Sequence, residues 1–233
     1  MDGGAPAWLL VAAGLLGAAV GGFLPRVVRR SSPALHDDDG APPRSGGSRL
    51  AAAVVTAGLY LLVAWHFGPS WQLPAYLFLA TVAVVLTVID LRHHLLPNAV
   101  VGPALSVGLL LLALASAVDS AWDALIRAVL GALVLFLLYL ALALISPAGL
   151  GMGDVKLAAV LGLFLGYQGW GALLLGAVLA SVFGALAGLV VLVTRRGGLR
   201  SDVPFGPSML AGALVAVAWG EQVVRHSLPA GIP

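Results

Sequence analysis

Between Arg127 and Arg195 the chain carries two charged residues, Asp154 and Lys156. Residues 128–153 and 157–194 on either side of them hold no charge at all. Each of these stretches exceeds the about 20 apolar residues that a helix needs to cross a bilayer. A soluble domain would carry about 25% charged residues, whereas this chain has 9% charged and 61% hydrophobic residues. Its mean hydropathy is +1.04. These features define a polytopic membrane protein and leave no segment for a large soluble domain. An acid kept in such a setting, on a glycine-rich backbone, is costly and marks a functional site by default.

Eight apolar segments have the length of spans or close to it: 7–24, 50–67, 72–90, 97–117, 125–146, 154–167, 169–193 and 206–224. The sixth is short and is expected to be a partial or tilted span. Turn signals divide the segments, among them Gly68-Pro69-Ser70, Leu96-Pro97-Asn98, Ser146-Pro147 and Arg195-Arg196-Gly197-Gly198. The expected fold is an all-α polytopic membrane protein with about eight transmembrane helices in one bundle. Residues 1–24 form the first helix, 25–49 a short cytoplasmic loop, 50–226 the core and 227–233 an extracytoplasmic tail. The start could mimic a signal peptide, but Asp2 precedes the apolar stretch and Arg26, Arg29 and Arg30 follow it. That order fits a retained first span with its N-terminus outside.

Charge sets the orientation. With eight spans, the loops 25–49, 90–97, 146–156 and 194–206 share one face and hold ten of the twelve basic residues. That face is expected to be cytoplasmic and both termini extracytoplasmic. The formal net charge of +2 gives no sign of a nucleic-acid partner. With no cysteine, disulfides and cysteine-zinc sites are excluded.

The same parity brings two acids together. Asp90 ends the third segment and Asp154 begins the sixth, so both lie at the cytoplasmic end. Two carboxylates in close contact cannot both ionise cheaply, so the pair shares a proton. One charged and one neutral acid can activate water and protonate an amide leaving group, which is general acid–base hydrolysis without a metal or cofactor. Gly149, Gly151 and Gly153 would let the backbone approach a substrate closely and take up angles closed to other residues. Taken singly, Asp154 could be a helix N-cap and Asp90 an ordinary boundary residue. A transporter or channel that relays protons or ions through the same aspartates is the main rival, and a non-catalytic membrane scaffold is the second.

Gly151-Met152-Gly153-Asp154 matches the Gly-x-Gly-Asp signature of intramembrane aspartyl proteases. The wider string from Gly149 to Lys156, running on into Leu157-Ala158-Ala159-Val160-Leu161-Gly162, resembles the type IV prepilin peptidase family. Asp90-Leu91-Arg92-His93-His94-Leu95-Leu96-Pro97-Asn98 resembles that family's other aspartate motif. Val203-Pro204-Phe205-Gly206-Pro207 resembles its apolar-Pro-Phe-Gly-Pro stretch. The resemblance implies an aspartic endopeptidase of the bacterial inner membrane that cleaves the basic leader of prepilins or pseudopilins just before their apolar helix, on the cytoplasmic side. Carried over, Asp90 and Asp154 are the catalytic pair, and Gly151 and Gly153 shape the loop. Lys156 is an electrostatic or positioning neighbour, or else a snorkelling interface lysine. Pro204, Phe205, Gly206 and Pro207 lie at the substrate edge. The family's Gly-Ser-Phe-Leu-Asn string reads Gly21-Gly22-Phe23-Leu24-Pro25 here. Bifunctional members have a loop with paired Cys-x-x-Cys motifs and also N-methylate the product. The cysteine-free loop here implies a peptidase without methylation.

Other signals are weaker. His93-His94 reads as a basic turn rather than a metal site, since neighbouring helical residues face apart. Asp37-Asp38-Asp39 reads as a solvated acidic run. Gly17-x-x-x-Gly21, Gly162-x-x-x-Gly166 and Gly184-x-x-x-Gly188 fit close helix packing, within the protomer first and in a homodimer second.

Overall fold

A computed structural model describes residues 5–31, 46–93, 96–145, 150–193 and 205–227. Among the described residues the chain forms eight helices: α1 (Ala7–Ser31), α2 (Gly46–Phe67), α3 (Leu73–His93), α4 (Asn98–Asp119), α5 (Trp122–Ile145), α6 (Met152–Gln168), α7 (Trp170–Val193) and α8 (Gly206–Ser227). They follow the eight apolar segments in order. Six of them, α1 to α5 and α7, are long and apolar enough to cross a membrane. Their outward faces stay apolar: Leu15 is 69% and Leu174 65% exposed. Such a surface suits lipid rather than water.

The short sixth segment becomes a buried helix. At 17 residues, α6 is about 26 Å long by the helical rise, short of the about 30 Å hydrocarbon core. It packs against α4, α5, α7 and α8. Nearly every residue from Val155 to Tyr167 is buried, which explains why its sequence is apolar on all sides.

Glycine makes this central packing close. A Cβ on Gly131 of α5 would fall 2.6 Å from the Gly162 carbonyl oxygen, and one on Gly166 2.7 Å from that of Arg127. The Gly162–Gly166 pair therefore packs α6 on α5. Gly17 and Gly21 lie likewise against Ala57 and Ala52 of α2. Gly184 faces Phe205, whereas Gly188 meets no neighbour. At the turn between α2 and α3, Gly68 has φ +56° and its N–H donates to the Ala64 carbonyl at 3.0 Å. This is a left-handed helix end that glycine adopts without strain.

The far end of α6 is tied down by polar side chains. Arg127 donates from Nε to the Gly166 carbonyl and from its Nη2 to that of Tyr167, both at 2.8 Å. These are last-turn carbonyls that a helix leaves without internal partners, and a cation there also suits the helix dipole. Tyr76 of α3 donates its hydroxyl to the Phe164 carbonyl at 2.8 Å, and Ser116 of α4 donates to the Tyr167 hydroxyl at 3.1 Å.

Candidate active site

Asp90 lies inside the last turn of α3, because Leu91, Arg92 and His93 carry the helix past the apolar segment. It is 4% exposed, and among the described residues it is the one buried side chain of a charged type. The backbone N–H of Gly206, the first residue of α8, donates to Asp90 Oδ2 at 3.1 Å. A helix N-terminus offers unpaired N–H donors and the positive end of its dipole. Position 206 has room for glycine alone: a Cβ there would fall 2.6 Å from Asp90 Oδ2.

Asp154 occupies the first turn of α6, three residues after the N-cap Gly151. Its Oδ2 accepts the Gly151 backbone N–H at 3.2 Å. The helix-end role that the sequence allowed for this acid is thus real, but at N3 instead of the N-cap. Asp154 is partly exposed and lies within electrostatic reach of Asp90. Asp90 on α3 and Asp154 on α6 therefore come together at one end of the bundle.

The three motifs meet around them. Leu96, from the Asp90 motif, covers Gly153: a Cβ on Gly153 would lie 2.8 Å from Leu96 Cβ. The same leucine reaches Gly206, with its Cδ2 3.6 Å from a Cβ placed there. Asn98, which ends the Asp90 motif, accepts a hydrogen bond from Lys156 Nζ at 2.7 Å. Lys156 is therefore a link between α6 and α4. Phe205 lies between Gly184 of α7 and Tyr139 of α5, with its ring centroid 6.4 Å from that of Tyr139. Pro207 is in the first turn of α8, partly buried, where its missing N–H costs the helix nothing. Pro204 lies outside the described residues, as do Gly149, His94 and the Asp37–Asp39 run.

The expected reason for the glycines is corrected at two positions. Gly151 has φ −78° and ψ 152°, angles open to any residue, and a Cβ there would meet nothing nearer than 3.6 Å. Gly153 is helical, so close contact with Leu96 rather than an unusual backbone angle requires glycine there. Sequence reasoning passed over Tyr139, buried at 4% beside the pair. Its signal was a lone tyrosine in a run of Leu, Ala and Val. Among the described residues no group of three His, Asp or Glu side chains gathers that could share a metal ion.

The fold and site together define a polytopic all-α membrane protein with two aspartates, from separate helices, near one end of its bundle. A sequence profile of the type IV leader peptidase family matches residues 77–189, a stretch that contains both acids. The chain is 40% identical over 170 residues to a protein of Stutzerimonas stutzeri named prepilin leader peptidase/N-methyltransferase, covering 71% of this chain and 56% of that one. Proteins of the same name in Pseudomonas aeruginosa and Bacillus subtilis are 37% and 34% identical, over 75% of this chain in each case and over 59% and 67% of their own lengths. The chain belongs to the type IV leader peptidase family. It spans less than two thirds of the Stutzerimonas and Pseudomonas relatives. No solved structure matches it.

Proposed function

We propose that this chain is an intramembrane aspartic endopeptidase that removes the leader from type IV prepilin-like or pseudopilin precursors. The observation that carries the reading is the convergence of three separated motifs on one pair of acids: Gly206 on Asp90, Leu96 on Gly153, and Asn98 on Lys156. A helix boundary alone would not require all three to meet.

In this reading one aspartate is ionised and takes a proton from water as its oxygen attacks the scissile carbonyl. The other is neutral and gives its proton to the leaving amine. A Cβ on Gly151 would meet only Asp154 Oδ2, at 3.6 Å, and the Gly153 nitrogen, at 3.9 Å; in this reading an extended substrate backbone lies along this exposed glycine, beside the carboxylate. The basic residues of segments 25–49, 90–97, 146–156 and 194–206, which include helix ends as well as the links between helices, support a position for this end of the bundle at the cytoplasmic face of the inner membrane. The substrate is a precursor with a basic leader followed by an apolar helix, which enters from the lipid. The reading covers cleavage alone, since the chain has no cysteine with which to build the paired-cysteine loop of methylating members.

The test is cleavage of a co-reconstituted prepilin by the purified protein. Asp90→Asn and Asp154→Asn are each expected to abolish it. Full activity in both variants would sink the mechanism, and ion flux in proteoliposomes without cleavage would favour a transporter instead.

A further inference from the structure

The chain has four tyrosines, and three of them spend their hydroxyls inside the bundle. Tyr60 bonds with Thr81 Oγ1, Tyr76 with the Phe164 carbonyl and Tyr167 with Ser116. The fourth, Tyr139, is just as buried, yet among the described residues its hydroxyl has no hydrogen-bond partner. Its oxygen is not sealed off, for among the described residues the one buried side-chain oxygen without a partner is that of Ser70. Next to its ring is a cavity of about 10 Å³ between α5, α6, α7 and α8, lined by apolar groups such as Leu135, Leu161, Leu165 and Met209. No partner is available on that side.

The helix register sets Asp154 level with Tyr139. α5 and α6 run antiparallel, with Gly131 against Gly162 and Arg127 against Gly166. Tyr139 follows Gly131 by eight residues, and Asp154 precedes Gly162 by eight. At about 1.5 Å per residue both are displaced about 12 Å in the same direction, and so reach the same depth. Tyr139 also packs on Phe205, whose next residue, Gly206, holds Asp90. The side chain is thus flanked by the helix that carries Asp154 and by the segment that donates to Asp90.

We propose that Tyr139 is a third catalytic residue of this site, its hydroxyl donating a hydrogen bond to the carbonyl oxygen of the scissile peptide as that oxygen gains negative charge. The proposal rests on the endopeptidase reading above. Water oxygen bonds to the carbonyl carbon, its proton passes to the ionised aspartate, and the carbonyl π electrons move onto the oxygen that Tyr139 faces. Collapse of this intermediate re-forms the carbonyl and breaks the C–N bond. The neutral aspartate supplies the proton to the departing nitrogen. Tyr139 keeps its own proton throughout and forms no covalent bond. Its contribution is greatest when the charge is greatest, which is the requirement for lowering the barrier instead of merely binding substrate.

Tyr139→Phe removes the hydroxyl and keeps the ring on Phe205. In the purified full-length enzyme acting on a prepilin, kcat is expected to fall about 100-fold, as when one oxyanion donor is lost, with KM little changed. A prepilin peptide whose scissile amide is replaced by a hydroxyl-bearing tetrahedral isostere should bind the variant at least about tenfold more weakly. The uncleaved peptide should bind it as before. That ratio of affinities counts only folded, binding-competent protein, so it decides the case even if the variant is less stable. Unchanged kcat in Tyr139→Phe, or equal weakening of both peptides, overturns the role of Tyr139 while leaving the endopeptidase reading intact. A wild-type enzyme that cleaves no prepilin overturns both.

Discussion

The N–H of Gly206 donates to Oδ2 of Asp90 at 3.1 Å, joining residues 116 positions apart in the chain. Through this bond the Phe205-Gly206-Pro207 stretch aims the N-terminus of α8 at a buried carboxylate. The glycine is required by distance and not by backbone angle.

Gly206→Ala should therefore displace Asp90 or α8. The added Cβ would lie 2.6 Å from Asp90 Oδ2 and 3.2 Å from its Cγ. Cleavage of prepilin is expected to drop about tenfold or more, in line with the effect of small misplacements at reacting groups. The protein should still accumulate in the membrane. Kinetics on the purified variant check this, and an activity equal to wild type would show that Asp90 tolerates the shift.

Arg127→Met would leave the Gly166 and Tyr167 carbonyls without their guanidinium donors. Losing hydrogen bonds to a charged group at a partly buried helix end should cost about 2 kcal/mol. Arg127→Lys should recover only part of this, because an ammonium cannot span two carbonyls as the planar fork does. Thermal unfolding in detergent measures both.

Gly162→Leu should separate α5 from α6. Here the backbone of Gly131 occupies the space, and overpacking of this kind costs about 1–3 kcal/mol. Because the same register sets Tyr139 level with Asp154, activity should fall together with the unfolding midpoint. Gly188→Leu is the control: nothing lies within 4 Å of a Cβ there, and neither quantity should change.

Lys156 and Asn98 should be energetically coupled. In a double-mutant cycle of Lys156→Met and Asn98→Ala, the combined loss of stability should fall short of the sum by about 0.5–1 kcal/mol. The 2.7 Å bond between them is exposed, which keeps the value small. Additive losses would mean that the link does not persist in solution.

Much of the architecture was legible in the sequence because a bilayer imposes length and polarity on every span. The eight apolar segments appear in order as α1 to α8, and the one that was too short turned out to be the interior helix. Both aspartates could be picked out because a carboxylate in an apolar chain is conspicuous. Other features depended on contacts between distant residues. The closeness of Gly131 to Gly162, the Arg127 bonds to the end of α6, and the cover of Leu96 over Gly153 have no local pattern. Gly151 and Gly153 look alike in the string, yet a Cβ would fit in ordinary contact at the first and would press on a leucine at the second.

By itself the sequence determined a multi-pass helical bundle, two isolated acids and their membership in one family, since hydropathy and short motifs are written residue by residue along the chain. The tertiary structure alone decided that Gly206 reaches Asp90, that Lys156 bonds Asn98, and that Tyr139 lies level with Asp154. The reason is geometric: helix register and crossing distance are set by which side chains are absent at the points of closest approach, and those points join residues that lie far apart in the chain.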